Sequence, residues 1–217
     1  MGKIIKSNSK YKGKLITLEG IDGSGKSTQI AALAAKLSAE HEVLCLREPG
    51  GSTIGEQIRQ VILSTKNLGM NELTELLLFE AARVQMMQEK IIPALEQGQL
   101  IICDRFTDST TAYQAFGRNI DQVLVEQLNS IATGGCKPDL TILLDISVEE
   151  AATRMAGRGE ANRLDREKAN FMQAVRDGYL SLAAAEPERF VVIDASQNSK
   201  LIAEQIGDAV EKLLGNS

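Results

Sequence analysis

The stretch "GIDGSGKS" (Gly20–Ser27) decides the fold. Gly20, Gly25, Lys26 and Ser27 satisfy G-x-x-x-x-G-K-[ST], the pattern of a loop that wraps phosphate groups. Glycines let the backbone bend until successive N–H groups point inward, and a helix starting near Lys26 adds its positive N-terminal dipole. The context agrees: "KLITLE" (14–19) reads as a strand, and 26–39 carries a helical period. Gly20, Asp22, Gly23, Ser24, Gly25, Lys26, Ser27 and Thr28 are the expected nucleotide contacts. Lys26 would reach the outer phosphates of a triphosphate, and Ser27 would hold Mg²⁺. One residue sits awkwardly. Asp22 places a carboxylate in a loop built for a polyanion, and no arginine follows among the variable positions to offset it.

Beyond this loop, short apolar runs alternate with helix-period segments, which predicts an α/β domain with a mostly parallel sheet. Further strands are expected at 42–47, 99–104, 139–146 and 189–194, as near-continuous apolar runs covered on both faces. Helices are expected at 53–64, 71–97, 108–116, 121–133, 148–157, 167–185 and 199–214, with a kink or break at Pro93. Glu19, Arg47, Asp104 and Asp145 then fall at carboxyl ends of strands, where open α/β sheets bind ligands.

The chain has 217 residues, enough for one well-buried domain, expected over 13–217 after a polar extension at 1–12. Net charge is −5, so no global basic field argues for nucleic acid or a membrane, and cations for an anionic substrate must be gathered locally. Cys45, Cys103 and Cys136 lack metal or disulfide spacing and are expected to be buried thiols. The start, "MGKIIKSNSKYKGK", lacks the apolar stretch of a signal peptide, and no run approaches a membrane span. A soluble cytoplasmic protein is the expectation.

The loop alone leaves several classes open. A GTPase would need an N-K-x-D motif, which is absent, and partition-type ATPases carry a lysine where this chain has Ile21. Three other segments discriminate: "REPGG" (47–51), "LLLFEAARVQ" (76–85) and "DRFTDSTTAYQ" (104–114). Together with the loop they resemble bacterial thymidylate kinases from about Lys14 to the C-terminus, and D-R-x₃-S-x₂-A-Y-Q downstream of R-E-P-G-G is highly specific for that family.

The resemblance implies a P-loop NTPase fold, a five-stranded parallel sheet in the order 2-3-1-4-5, and transfer of phosphate from ATP to dTMP, giving dTDP for DNA synthesis. Phe79 and Arg83, four apart on one helix face, would stack on the pyrimidine and donate to a ring carbonyl. Arg105 would grip the acceptor phosphate in catalysis, with Arg47 beside it, and Asp104 would assist Mg²⁺. Pro49 would border the base. Ser109 and Thr110 would flank the pyrimidine, with Thr110 at its N3 edge, and Gln114 would support them. Tyr113 would fill the space a ribose 2′-OH needs. Asp22 would meet the dTMP 3′-OH and an acceptor-side arginine, away from the triphosphate.

A lid is expected at about 156–167, bringing a catalytic charge from Arg154, Arg158 or Arg163, with Arg154 open to stacking on adenine instead. With no loop arginine, the chain resembles the type of bacterial thymidylate kinase that carries its arginine in the lid. Relatives form homodimers through packed helices, and the same is expected here. Two alternatives stand beside this reading: a deoxynucleoside kinase, which needs a carboxylate base for a neutral hydroxyl, and a nucleotide-switched ATPase with no small acceptor.

Overall fold

A computed structural model describes residues 11–156 and 162–215; the lid centre with Arg158, and most of the 1–12 extension, lie outside the described residues. Five parallel strands form one sheet in the order β2-β3-β1-β4-β5: β1 (Lys14–Glu19), β2 (Val43–Arg47), β3 (Leu100–Asp104), β4 (Leu140–Asp145) and β5 (Phe190–Asp194). Both the fold class and the strand order are those expected. Around the sheet lie α1 (Lys26–Leu37), α2 (Thr53–Leu63), α3 (Glu72–Met86), α4 (Ile92–Glu96), α5 (Thr107–Thr110), α6 (Gln122–Thr133), α7 (Val148–Met155), α8 (Ala169–Ala185) and α9 (Ser199–Gly215).

Strand alternation divides the core. Ile16 and Leu18 join Ile142, Leu144, Tyr179 and Val210 on one side, while Leu15 joins Ile101, Phe106, Met86, Met87 and Leu95 on the other. The central strands β1, β3 and β4 are buried on both faces nearly throughout, as their continuous apolar runs predict. The edge strands differ. β2 and β5 leave alternate residues open, so Cys45 is exposed rather than buried, while Cys103 and Cys136 are buried as expected.

Helix starts carry side-chain caps: Ser52 accepts from Gly55 N–H, Asn71 from Leu73, Asp121 from Leu124 and Ser147 from Glu150. α1 has none, because its N-cap is Gly25 at φ +96°, so no side chain competes with a ligand for its leading N–H groups. The helix expected at 71–97 is interrupted just before Pro93, as that proline predicts. A wide π-helical turn at Met87–Ile91 shifts the ladder by one residue, so Pro93 begins a new first turn where no N–H is required. The expected helix at 108–116 also splits, into α5 and a π-helical turn at Thr111–Gly117.

Parallel register brings the chemistry together. Arg47 pairs with Asp104 across β2–β3, and Leu18 pairs with Asp104 across β1–β3, so the carboxyl ends of the first three strands share one rim. α8 packs over the Thr111–Gly117 turn through Gly178, where an added Cβ would lie 2.7 Å from Cγ and 2.9 Å from Cβ of Phe116. Those atoms are the root of the side chain and cannot swing away. Gly178→Ala should therefore lose stability: overpacking of about 1–3 kcal/mol outweighs the roughly 1 kcal/mol that alanine gains in a helix. A lowered midpoint in urea unfolding is expected; an unchanged or raised midpoint would contradict the packing described.

Candidate active site

The nucleotide loop closes around its own lysine. Lys26 Nζ donates to the carbonyls of Gly20 (2.9 Å) and Ile21 (3.2 Å), and Asp22 stands 3.9 Å away. Burial, then the nearby Arg105 charge, lowers its pKa to about 8. Gly20 is held at φ +136° with its Cα against Leu144 O, where an added Cβ would come within 2.5 Å, so only glycine lets the loop leave β1 this close to β4. Ser27 and Thr28 are exposed toward a cavity of about 390 Å³.

Asp104, at the end of β3, lines the same cavity, and its buried Oδ1 has no hydrogen-bond partner among the described residues. A buried carboxylate oxygen without a donor, on a residue that shares a cavity wall with Ser27, suits a hard divalent cation. No group of three His, Cys, Asp or Glu side chains among the described residues could hold a metal alone. Such a site needs oxygens from phosphates and water, the usual habit of Mg²⁺.

The acceptor wall is built on Arg105. It follows β3 at φ +71°, a backbone conformation uncommon for a side-chain-bearing residue, so the turn aims it sharply back across the sheet rim. Its Nη2 donates to Asp22 Oδ1 at 2.8 Å, and its Nη1 to Ser109 Oγ (3.2 Å) and the Tyr179 hydroxyl (3.1 Å). The guanidinium also lies 5.0 Å from the centre of the Tyr113 ring. Asp22, the awkward acid, thus binds an arginine of the opposite wall.

Two more guanidiniums face this region. Arg47 is exposed and pairs with Glu56 at 3.0 Å, while Arg59, half-buried on α2, donates to Pro49 O at 2.8 Å. Burial, then repulsion from Arg47, lowers the pKa of Arg59. Arg59 escaped the sequence reading because no motif marks a lone arginine inside an amphipathic helix. Tyr179 escaped it too, since only folding brings α8 to the end of β1.

Phe79, Pro49, Thr110, Tyr113 and Gln114 line the cavity with Arg83. Arg83 is only 1% exposed, and each of its five N–H groups meets a protein acceptor: Glu48 twice, Glu80, Asn129 and Thr110. A base carbonyl would have to share or displace one of these. Ser109, expected beside the base, turns its hydroxyl to Glu19 and Tyr179. The hydroxyl of Tyr113 is buried with no partner among the described residues.

Of the arginines expected in a lid, neither of the two described lines the cavity. Arg154 sits half-exposed on α7, 3.5 Å from Glu150, and is not on the cavity wall. Arg163, expected as a catalytic candidate, is 5% exposed and also off the wall; it pairs with Glu75 and donates to Ile62 O at 2.8 Å. Its neighbours Asn162, Leu164 and Asp165 line the cavity instead. Arg158 is outside the described residues.

With this geometry in place, the comparisons are concordant. The family model for thymidylate kinase matches residues 18–206. A thymidylate kinase of Citrifermentans bemidjiense is 47% identical over 93% of this chain and 94% of its own, and one of Trichlorobacter lovleyi is 49% identical over 90% and 95%. The crystal structure of thymidylate kinase from Ehrlichia chaffeensis superposes with a TM-score of 0.75 at 35% identity, covering 91% of this chain and 99% of that one.

Glu75 joins the lid's anchor to the acceptor wall. It accepts from Gln114 (2.9 Å), from Arg118 (3.1 Å) and from Arg163. Against the upward push of burial, Arg118 and Gln114 hold its carboxyl below the ordinary value. Glu75→Ala leaves Arg163 buried beside no carboxylate and should cost about 3–5 kcal/mol in denaturant unfolding. A loss below about 1 kcal/mol, the scale of an exposed pair, would show that Glu75 is not the anchor.

Proposed function

The chain belongs to the thymidylate kinase family, and we propose from that premise how its residues share the ATP-dependent phosphorylation of dTMP to dTDP. The observation that carries the assignment is the 2.8 Å contact between Asp22 and Arg105, which joins the donor loop to the acceptor wall. Two nucleotides meet at that seam. Loop N–H groups and Lys26 hold the donor phosphates, with Gly23, Ser24 and Thr28 completing the loop. Ser27 and Asp104 would hold Mg²⁺, which neutralises charge on the transferring phosphates when bound.

Arg105, Arg47 and Arg59 receive the acceptor phosphate, whose oxygen is already ionised and needs no general base. Convergence of three guanidiniums suits a phosphate better than the neutral 5′-hydroxyl of a deoxynucleoside. Phe79 stacks on the thymine, Pro49 borders it, and Arg83 and Thr110 meet its polar edge. Tyr113 fills the space beside C2′ and Gln114 braces that wall. With Arg163 committed to Glu75, the lid's catalytic charge falls to Arg154 or Arg158. Residues 13–217 act as one domain, 156–167 as its lid, and 1–12 as an extension.

The active form is a homodimer in the cytoplasm. Leu73, Leu77 and Val84 are exposed along one face of α3, and Ile54 and Val61 on the adjoining α2 are exposed as well. A second copy of the chain would cover this apolar surface. Among the described residues no helix is long and apolar enough to cross a membrane.

ADP release tests the activity directly. With MgATP, release should depend on dTMP and be negligible with thymidine or with no acceptor. Turnover independent of acceptor would favour a nucleotide switch, and turnover with thymidine a deoxynucleoside kinase; either result contradicts the assignment.

A further inference from the structure

Beneath Arg105 lies a buried acid that does not line the site cavity. Glu19, at the end of β1, is fully buried. Its Oε1 accepts from Phe106 N–H at 2.7 Å, and its Oε2 accepts from the hydroxyls of Ser109 (2.6 Å) and Tyr179 (3.0 Å). Those two hydroxyl oxygens, 2.6 Å apart, are the acceptors for Arg105 Nη1.

Proton accounting constrains this chain. A guanidinium only donates, so a hydroxyl that accepts from Arg105 must send its own proton elsewhere. An ionised carboxylate only accepts, so at least one of the two hydroxyl protons goes to Glu19, and the other goes to Glu19 or to the neighbouring hydroxyl. The Phe106 N–H, meanwhile, pins the backbone one residue past the strained turn at Arg105. We propose that Glu19 is the positioning residue of the acceptor-phosphate site: through Ser109 and Tyr179 it turns two oxygens toward Arg105 and holds the guanidinium in its phosphate-binding pose.

The surrounding charges explain why the acid needs this company. Burial, then the carboxylate of Asp108 on α5, pushes the Glu19 carboxyl up to about 7. Ser109, Arg105 and Tyr179 pull it back toward the ionised form. A glutamine of the same shape cannot substitute. Its NH₂ must face either the Phe106 N–H, donor against donor, or the two hydroxyls, which then lose the carboxylate oxygen that accepts from them.

The inference rests on the reading of Arg105 as the ligand of the acceptor phosphate, and the test separates the two. Calorimetric titration of the full-length protein with dTMP, thymidine and MgATP measures affinity for each. Glu19→Gln should weaken dTMP about tenfold or more, the scale of one buried hydrogen bond lost, while thymidine and MgATP stay within about twofold. Glu19→Asp, which keeps the carboxylate, should retain part of the preference for dTMP over thymidine. Equal weakening of dTMP and thymidine by Glu19→Gln would mean a merely structural role and overturn the inference. Should Glu19→Gln not fold, Tyr179→Phe carries the test: a selective loss for dTMP supports the relay, and an unchanged preference overturns it. Arg105→Ala reports on the underlying reading. If it erases the preference while Glu19→Gln leaves it intact, the inference alone fails; if Arg105→Ala leaves the preference intact, the phosphate reading fails with it.

Discussion

Two anionic nucleotides must be brought together by a chain that is itself negative, and the contact between Asp22 and Arg105 organises how this is done. A carboxylate in a phosphate loop would repel a triphosphate if it were free to face it. Here the Arg105 guanidinium draws it to the other wall. On the proposed assignment, the loop keeps its N–H groups and Lys26 for one set of phosphates, and Arg105 presents a partly neutralised guanidinium to the other. Strand order makes the arrangement possible: β1 carries the loop, its neighbour β3 carries Asp104 and Arg105, and β2 adds Arg47 from the far side.

The same device recurs under the other arginines. Arg83 rests on Glu48 and Glu80, Arg163 and Arg118 on Glu75, and Arg105 on Glu19 by way of two hydroxyls. Long guanidinium side chains lose much rotamer freedom when fixed, and a buried carboxylate beneath each fixes it during folding, before any ligand arrives. The arrangement also explains an apparent excess of acid around a site for anions. The acids are paired with these arginines.

Much of the fold was legible in the chain. The five strands stand within a residue or two of their expected bounds, because central strands of a parallel sheet are apolar on both faces and interrupt the helical period cleanly. The order 2-3-1-4-5 came from the family resemblance, since strand spacing alone does not rank neighbours. What failed depended on tertiary surroundings. Cys45 is exposed because β2 is an edge, which its own five residues cannot reveal. In the site, residues carrying a motif or a strand-end position, Glu19 among them, were findable, whereas Arg59, Tyr179 and Glu75 act through partners as far as 160 positions away. Arg163 shows the converse: its place in an arginine-bearing segment drew attention to it, and the structure finds it buried against Glu75, a contact the sequence does not reveal.

The central claim is that Asp22 serves the acceptor side of the seam. Titration of Asp22→Asn with dTMP and, separately, with MgATP tests it most directly. The account predicts weaker dTMP binding, by about 1 kcal/mol or more for the lost charge-assisted bond to Arg105, with MgATP affinity little changed. Unchanged dTMP affinity together with tighter MgATP binding would place the carboxylate against the triphosphate and contradict it.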